Sequence, residues 1–529
     1  MAGYREPGLY IKYEASGAGA LGGTPYLIPT IMGSGPRYLK KTISVVRGSS
    51  TKDKLPISAE GMSDFTVLRI GRTTTSTDYY SDVTIKETAD YKNILQLDPD
   101  GDLSLKKPAE DYTLSVDSDS KIVVTWSATT TEDQIMVDPS LSMETAGQHE
   151  ESTVYIRRNR KPSEGSTYYI ELIYPVNKNN TPNQYEPTLI SLQEDIESVY
   201  GGLLMYTDHT GTQTTINKLG LGVYLAMING AGLVYAQQVE YDKSKPAPDQ
   251  FDYTHALVKL QNLTDVYRIV AMDKDNNITN TIVSHVTQMS SPEEKAERRL
   301  FAGCGYQMIN SFLEMQKTVG DYAKSIHNER VGILGAYDAT IAMPDGTTYT
   351  LPAGQAEPFL CAALAGLEAG LPIHQSITKS GIVGFTELIE KVNMLRTQKN
   401  MLAEKGVILL EQKGGPGSPI IVRHGLTTNM DTTQTRESSI TTIRDYTGKM
   451  LRATLDKYIG KDNITMEGLV KIKGAVDSVL DNLISSKIIV KGEVNTLQQD
   501  SNQPDSVILT VNILPPYPCN YINVVVYTS

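Results

Sequence analysis

The chain has 529 residues, with 49 Lys and Arg against 61 Asp and Glu, and its formal net charge is −12. This acidic balance argues against a protein that coats DNA or RNA, because such a protein needs a basic surface to displace counterions. No apolar run approaches the roughly 18 residues that span a bilayer, and the N-terminus lacks the basic and apolar segments of a secretory signal. We therefore expect neither direct contact with nucleic acid nor membrane insertion.

The negative charge is concentrated in one part of the chain. Residues 98–151 contain thirteen acidic and three basic side chains, which gives a net charge of −10. The other residues together carry only −2, with both signs mixed. A concentrated acidic surface favours solubility and opposes lateral association, whereas a nearly neutral body suits surfaces that meet copies of themselves.

The positions of cysteine, histidine and acidic residues predict no metal or cofactor site. Cys304, Cys361 and Cys519 are far apart, and the seven histidines form no paired motif, which excludes the usual zinc spacings and a disulfide framework. Cys361 lies in the apolar run FLCAALAGL and is predicted to be a buried structural residue. Residues 98–102 and 273–277 resemble the start of a calcium loop. In the first the Gly comes too early and no Glu stands at position 12, and in the second Ile278 takes the place of the Gly, so we predict acidic turns. No catalytic residue is predicted.

The first 36 residues are predicted to be extended, since prolines at 25, 29 and 36 disfavour a helix. A short strand precedes a glycine-rich linker, and a second apolar strand covers residues 26–32. The linker has the glycine spacing of a dinucleotide-binding loop, but the next residues, GTPYLIP, cannot form the helix that such a loop requires. We therefore predict a flexible hinge, which contains Gly17, Gly19, Gly22 and Gly23. The strand before it consists of Leu9, Tyr10, Ile11, Lys12 and Tyr13.

Residues 55–185 have the pattern of an all-β domain. Short runs rich in Val, Ile, Thr and Tyr, such as KIVVTWSA and TYYIELIYPV, alternate with clusters of Asp, Ser, Gly and Pro. This spacing is typical of a sandwich or a compact barrel.

From residue 188 onward, strands and helices alternate. The first predicted elements are helices at 219–228 and 276–289 and strands at 233–239 and 265–272. Ser291, Pro292 and Glu294 have the order of a helix start, which predicts a helix to about Thr318. The last third continues the alternation, with helices at 358–371, 387–405, 439–459 and 466–484 and strands at 407–412, 420–425 and in KIIVKGEV, SVILTVNIL and YINVVVYT. We expect a mixed α+β fold of about three or four domains.

The predicted helix 439–459 has two distinct faces. Apolar residues form one stripe, and Asp445, Lys449, Arg452 and Asp456 follow spacings of 4, 3 and 4 on the opposite face. This polar face is either a solvated ladder of salt bridges, worth a few tenths of a kcal/mol per pair, or a surface for a partner.

A β-prone segment lies on a tether near each end of the sequence. The C-terminal segment follows a stiff proline-rich spacer, Leu514–Pro518. Such a strand can pair within its own chain or complete the sheet of a neighbour. The C-terminal strand consists of Ile522, Asn523, Val524, Val525, Val526 and Tyr527.

An ordered series of segments resembles the contractile tail sheath proteins of bacteriophages and the sheaths of related injection systems. The segments are EPGLYIKYEA, PYLIPTIMGSGP, LGVYLAMINGAGLVYAQQV, TLPAGQAEPFLCAALAGLEAGLPIHQSITKSGIVG, EKGVILLEQKGGPGSPIIVRHGLTT, ITTIRDYTGKMLRATLDKYIG and ILPPYPCNYINVVV. The series covers about residues 1–40 and 185–529, and its order carries the resemblance. Residues 55–185 match no part of the family, whose fold would accommodate them as an outward-facing insertion.

The resemblance implies a multidomain fold with an α/β sheath core, a C-terminal α/β domain and a β-rich outer insertion domain. The implied domains are an N-terminal arm with the first core strand at 1–54, the insertion at 55–185, a middle α/β domain at 186–345 and a C-terminal α/β domain with a strand arm at 346–529.

The function that the resemblance implies is mechanical. Hexameric rings of the chain would stack as a helical tube around a tail tube protein, together with baseplate and tail terminator proteins, and contract to drive the tube through the host envelope. Strands from both termini would join neighbouring C-terminal domains, and the helix with Lys449 and Arg452 is a candidate tube-facing surface. The resemblance implies no enzymatic activity and no cofactor. It places the protein in the virion after assembly in the host cytoplasm.

Two other functions stay open at this point. A different virion structural protein, such as a tail-tube or capsid subunit, would lack a C-terminal α/β domain with strands near both termini. A soluble α/β enzyme would have a bound cofactor or a deep pocket in which titratable groups converge.

Overall fold

The computed structural model describes residues 28–33, 38–58, 66–71, 85–89, 112–118, 121–126, 134–137, 152–157, 163–175, 185–200, 203–206, 213–242, 245, 247–305, 309–344, 346–522 and 524. In these residues the chain has a mixed α/β fold with several sheets, which confirms the predicted class at this level. The finer division into four domains stays a prediction.

The strands are numbered in chain order. They are β1 (Ile28–Gly33), β2 (Tyr38–Val46), β3 (Lys52–Ser58), β4 (Thr66–Gly71), β5 (Ile85–Ala89), β6 (Tyr112–Val116), β7 (Lys121–Trp126), β8 (Gln134–Val137), β9 (Ser152–Arg157), β10 (Thr167–Pro175), β11 (Thr188–Ile190), β12 (Leu204–Tyr206), β13 (Gln213–Ile216), β14 (Val234–Gln238), β15 (Val266–Ala271), β16 (Arg299–Gly303), β17 (Val331–Leu334), β18 (Tyr337–Ala342), β19 (Thr348–Thr350), β20 (Gly381–Ile382), β21 (Phe385–Glu390), β22 (Val407–Ile408), β23 (Leu410–Gln412), β24 (Ile420–Val422), β25 (Lys491–Gln499) and β26 (Val507–Leu514).

The helices are numbered in the same way. They are α1 (Gln193–Tyr200), α2 (Lys218–Ile228), α3 (Gln250–Leu260), α4 (Asn276–Met289), α5 (Phe312–Met315), α6 (Asp321–Ile326), α7 (Ala356–Gly370), α8 (Arg396–Ala403), α9 (Thr433–Arg436), α10 (Ser438–Leu455) and α11 (Met466–Ser485). A π-helical segment (Gln316–Gly320) joins α5 to α6, and a 3₁₀ turn (Asp456–Tyr458) follows α10. None of the helices in this described part combines the length and the apolar character needed to cross a membrane.

The described residues divide into two compact units. One unit contains β1, residues 185–193 and the chain from Lys218 onward. The other contains the strands from β2 to β10 together with residues 194–217.

The second unit is built from antiparallel strands, as its runs of Val, Thr and Tyr lead us to expect. Its sheets have the strand orders β2-β10-β4, β3-β7-β6 and β5-β9-β8, and β12 pairs with β13. A buried carboxylate links three of the strands, because Asp53 accepts hydrogen bonds from Nε1 of Trp126 at 2.9 Å and from the hydroxyl of Tyr168 at 3.1 Å. Burial and the Asp53 charge both raise the pKa of Tyr168, so its hydroxyl stays protonated and donates.

The first unit is organised around a seven-stranded sheet with the order β11-β14-β1-β15-β16-β17-β22. All neighbouring strands are parallel except β11, which is antiparallel to β14. The central strands are short apolar runs such as VYRIVA and VGIL, which is typical of strands covered on both faces. Smaller sheets have the orders β19-β18-β21 and β20-β24-β23, and β25 and β26 form a hairpin.

Helix α7 is buried from its first residue to Leu367 and packs closely against α2. A Cβ built on Gly366 would lie 2.0 Å from the carbonyl oxygen of Ala226, and one built on Gly370 would lie 2.8 Å from the Cα of Gly230. Side chains at these glycines would occupy the space of the neighbouring backbone. The segment LAGLEAG therefore sets the distance between the two helices.

Five predicted helices are confirmed with shifts of a few residues at their ends. Residues 219–228, 276–289, 358–371, 439–459 and 466–484 correspond to α2, α4, α7, α10 and α11. The start of α4 is fixed by Asp275, whose carboxylate accepts hydrogen bonds from the backbone N–H groups of Asn277 at 2.6 Å and Ile278 at 3.2 Å. The acidic stretch 273–277 is therefore a helix cap.

The predicted helix from Ser291 to about Thr318 is wrong. Residues 299–303 form β16 instead, between β15 and β17 in the large sheet. The local signals of a helix start are present, but the apolar run around Phe301 is buried in the sheet, and this tertiary requirement overrides the local preference. A helix begins only at Phe312.

The predicted helix 387–405 is only partly correct. Its first part lies in β21, which pairs with β18, and α8 begins only at Arg396. A few apolar residues at spacings of 4, 3 and 7 do not distinguish one long helix from a strand followed by a short helix. Gly406, at φ +83°, follows the end of the helix as predicted.

Helix α10 is held to the sheet by a buried ion pair. The carboxylate of Asp445 is fully buried and accepts hydrogen bonds from Arg330 at 2.8 and 3.0 Å. The hydroxyl of Tyr267 donates to the same carboxylate at 3.0 Å. Burial alone would raise the pKa of Asp445, but the charge and the hydrogen bonds of Arg330 outweigh burial and lower this pKa. The pair is therefore ionised at neutral pH.

A second buried cluster connects α10 with α7. Nε of Arg268 donates to Glu368 at 2.6 Å, and the Arg268 guanidinium lies 3.7 Å from the ring centroid of Phe301. Arg299 donates to Glu368 at 3.3 Å and to the carbonyl oxygen of Ser438, the first residue of α10, at 2.8 Å. Burial, followed by the charge of Arg299, lowers the pKa of Arg268 to about 10, which leaves the side chain charged at neutral pH. We call the contacts of Arg268, Arg299 and Arg330 with Glu368, Ser438 and Asp445 the buried clamp.

Replacing Gly366 with Ala is expected to lower the free energy of unfolding by about 1–3 kcal/mol, because the new Cβ overlaps the backbone of α2. Urea denaturation of the purified protein measures this change. Gly474 is the matched control, since it lies exposed in α11 and a Cβ there meets nothing within 4 Å. Gly474→Ala should be neutral or stabilise by up to about 1 kcal/mol. Equal effects of the two substitutions would contradict the close packing.

Replacing Asp445 with Asn is expected to lower the free energy of unfolding by about 3–5 kcal/mol at neutral pH, because Arg330 stays buried without a counterion. The pKa of Asp445 is lower in the folded protein than its ordinary value of 3.8, so its contribution is present above that value and is lost as pH falls through the folded pKa. The difference between variant and wild type should therefore shrink in urea titrations below about pH 4.

Asp477→Asn is the control for this substitution. Asp477 forms an exposed pair with Lys473 at 2.7 Å in α11, and its loss should cost less than about 0.5 kcal/mol at every pH. An Asp445 variant that is as stable as the Asp477 variant would show that the buried clamp does not hold α10.

Candidate functional site

The predicted N-terminal arm at 9–13 and the hinge glycines at 17–23 lie outside the described residues. Their roles stay predictions. The first described element after them is β1, which lies between β14 and β15 inside the seven-stranded sheet. An arm at 9–13 would therefore be connected to the interior of the first unit by the glycine-rich linker.

Only part of the predicted C-terminal strand is described. Ile522 and Val524 are 79% and 77% exposed, and neither lies in a strand. Asn523 and residues 525–527 lie outside the described residues. The single chain thus presents two apolar side chains of this segment to solvent.

The hairpin of β25 and β26 precedes this segment and packs on the C-terminal helices. Leu509, Val511 and Ile513 lie against the apolar core of α10 and α11, near Leu480 and Leu483. The alternate residues of β26 are exposed. This alternation covers one face of the hairpin and leaves the other face in solvent.

Both outer edges of the hairpin lack a neighbouring strand among the residues that the structure describes. β25 and β26 form a sheet of two strands, paired from Lys491 with Leu514 to Gln499 with Val507. An open edge presents backbone N–H and C=O groups that another strand can bind. Because a two-stranded sheet is only marginally stable alone, further strands would stabilise it. The hairpin therefore presents two open edges to solvent in the described part of the chain.

Residues 515–520, which we call the stalk, connect the hairpin to the terminal segment. The stalk contains three prolines and forms neither helix nor strand, and its first residue, Pro515, is buried. Gln434 donates from Nε2 to the hydroxyl of Tyr517 at 2.8 Å, and Asn520 donates from Nδ2 to Oε1 of Glu437 at 3.0 Å. These contacts hold the stalk against the chain just before α10.

Lys449 and Arg452, the candidate tube-facing residues, make contacts within the chain. Nζ of Lys449 donates to the carbonyl oxygen of Thr264 at 3.3 Å and lies 5.6 Å from the ring centroid of Tyr267. Burial lowers the pKa of Lys449. Arg452 forms an ion pair with the buried carboxylate of Glu297.

The interpretation of this helix face as a solvated salt-bridge ladder is therefore wrong for Asp445, Lys449 and Arg452, whereas Asp456 follows the helix and is exposed. The spacing of 4, 3 and 4 places the charges on one face, but it does not reveal what that face meets. Here the face contacts three residues that precede β15, β16 and β17 in the chain. They are Thr264, Glu297 and Arg330. Contact of Lys449 and Arg452 with a tube stays a prediction, and it would require these side chains to exchange their present partners.

The crevice at the carboxyl end of β15 is the place where doubly wound sheets usually bind ligands. A cavity of about 370 Å³ lies there, and its lining includes Lys218, Asp273 and Lys274. The N-termini of α3 and α4 reach this cavity, but the chain's own Asp249 and Asp275 cap them. A phosphate group would meet two carboxylates instead of free backbone N–H groups. This arrangement disfavours a nucleotide-dependent enzyme.

Sequence reasoning missed the buried clamp and the stalk contacts. Arg268 within the apolar run VYRIVA was a usable signal, since a charge in a buried strand requires a partner. Its partner Glu368 lies 100 residues further along the chain, and no local pattern joins the two. The contacts of Gln434 and Glu437 with the stalk each span 83 residues and have no sequence signature either.

Comparison with known proteins finds a relative among phage proteins. Over 344 residues the chain is 27% identical to the tail sheath protein of Mycobacterium phage Bxz1, and the alignment covers 64% of this chain and 56% of that protein. The chain thus spans only about half the length of this relative. No family model matches the chain.

Two solved structures share the fold. The helical sheath of the anti-feeding prophage (AFP) in its contracted state matches with a TM-score of 0.50 and 14% identity, over 66% of this chain and 90% of that chain. A chain of the 6-fold symmetrised AFP baseplate matches with a TM-score of 0.50 and 13% identity, over 67% and 90% of the two chains. In sequence and in fold, the chain is similar to contractile tail sheath proteins.

Proposed function

We propose that this chain is the structural subunit of a contractile tail sheath, which polymerises as stacked hexameric rings around a tail tube. The observation that carries the proposal is the hairpin with two open edges, combined with an exposed apolar segment near the end of the same chain. A donor strand and an acceptor edge on one chain allow identical contacts to continue from copy to copy. The similarity to a phage tail sheath protein supports this function.

Strand addition suits a polymer that changes its length. Backbone hydrogen bonds along an added strand persist while the surfaces of the subunit bodies re-pack. Residues 9–13 and 522–527 are the proposed donor strands, and the edges of β25 and β26 are the proposed acceptors. The glycines at 17–23 would let the bodies shift while the strands stay paired.

The β-rich residues 55–185 are proposed to form an outward-facing insertion between an N-terminal region, 1–54, and the α/β domains at 186–345 and 346–529. The acidic residues between 98 and 151 support this placement, since their net charge of −10 would keep a large particle soluble and oppose lateral association.

The proposed partners are other copies of the chain, a tail tube protein, and baseplate and tail terminator proteins. Helix α10 with Lys449 and Arg452 is retained as a candidate tube-facing element. The sheath would assemble in the host cytoplasm, remain in the virion and drive the tube through the host envelope. Its energy would come from the difference between two packings of the same subunits, so no cofactor is required.

Replacing Ile522 and Val524 together with Asp is expected to abolish tube formation and to leave the monomer folded. Two carboxylates on the donor strand would lose their hydration on pairing, and repulsion between copies would add to this cost. Negative-stain microscopy of the purified protein scores hollow, ringed tubes, and urea denaturation compares the monomers. Their free energies of unfolding should agree within about 0.5 kcal/mol, because both side chains are exposed.

The matched control adds the same charge elsewhere on the C-terminal region. Asn502→Asp with Gln503→Glu introduces two carboxylates in the exposed loop between β25 and β26. This variant should form tubes as the wild type does. Normal tubes from the variant at 522 and 524 would refute the donor role of the terminal segment.

A further inference from the structure

The stalk is bound at two points with matching spacing. Gln434 and Glu437 are three residues apart, and the residues that they contact, Tyr517 and Asn520, are also three residues apart. The stalk therefore runs along the segment 434–437 and is held at both ends of the contact.

Glu437 is a rigid anchor for the stalk. Its side chain is fully buried, and Oε1 lies 3.0 Å from Nε2 of His424 and accepts from Nε of Arg436 at 3.3 Å. Its backbone forms a β-bridge with Leu426 and directly precedes α10. Because several groups fix this carboxylate, Asn520 binds at a position set by the body of the chain.

Exposure rises immediately beyond the anchor. Tyr521 is 73% exposed, and Ile522 and Val524 are exposed to a similar extent. The docked stalk thus ends at Asn520, two residues before the first proposed strand residue.

We propose that Gln434, Glu437 and Asn520 are positioning residues, which make the terminal segment leave each subunit at a fixed point and direction toward a second copy. This inference rests on the proposed function, because it assigns a role within strand exchange between copies. The terminal strand then follows a stalk that is bound to its own subunit up to Asn520, and does not follow a free tether.

Docking shortens the free part of the tether. Without docking, all the residues between Leu514 and Ile522 could change the direction of the strand, whereas with docking only the residues after Asn520 can do so. Less conformational freedom is then lost when the strand pairs with a neighbour.

Cys519 gives direct access to this contact. It is exposed, whereas Cys304 and Cys361 are buried, so a nitroxide reagent should label Cys519 in the full-length protein. Tyr517→Phe combined with Asn520→Ala removes the stalk contacts with Gln434, Glu437 and His424. We expect faster label motion in the electron paramagnetic resonance spectrum of the monomer. We also expect a rise of about three- to tenfold in the concentration at which unlabelled protein forms tubes.

Two variants serve as controls. Tyr521→Phe removes a hydroxyl just beyond the anchor and should change neither label motion nor tube formation. Asn520→Gln retains an amide donor. Compared with Asn520→Ala, it should restore part of the restricted label motion and part of the tube formation. Equal free energies of unfolding for all variants would show that the effects do not arise from an unfolded body.

The outcomes separate this inference from the proposed function. Unchanged label motion in the double variant would overturn the docking of the stalk. A mobile stalk with unchanged tube formation would overturn its positioning role. Absence of tubes from the wild type would overturn the proposed function and with it the positioning role, even where the label shows a docked stalk.

Discussion

The packing of the C-terminal half of the first unit depends on the buried clamp, which fixes the position of α10. Charges that are removed from water are costly unless they are paired, so α10 is fixed where Asp445 meets Arg330. Arg299 adds a second link, because it bonds both the first residue of α10, Ser438, and Glu368 of α7. The hairpin, the anchor at Glu437 and the docked stalk all follow from the place of α10. If the chain transmits force in a polymer, we expect the sheet and these helices to move as one body.

The sequence predicts elements well where the decisive signals are local. Helix 276–289 has its N-cap, Asp275, and its apolar period in one window, and the structure has the same bounds. The helix predicted from Ser291 fails although its N-terminal signals are present, because residues 299–303 are needed inside the sheet. The polar face of α10 shows a similar limit. Spacing identified the face correctly, but the groups that meet it come from distant parts of the chain.

The candidate assembly elements were predictable to different degrees. A β-prone segment after a proline-rich spacer is visible in the sequence, since both features are local. The open edges of β25 and β26 are not, because an edge is defined by the strands that do not pair with it. The stalk contacts combine Gln434 and Glu437 with residues 83 positions later, so they became visible only in the folded chain. In the proposed function, these features supply a body with an acceptor sheet and a positioned donor strand.

The most direct test of the account is a cryo-EM reconstruction of tubes formed by the purified protein, at a resolution that traces the C-terminal region. We expect the sheet of β25 and β26 to gain at least one strand, formed by residues 522–527 of another copy, while the stalk of that copy stays docked at its own Glu437. A hairpin that remains two-stranded in the tube, or that is completed by the terminal segment of its own chain, would contradict the account.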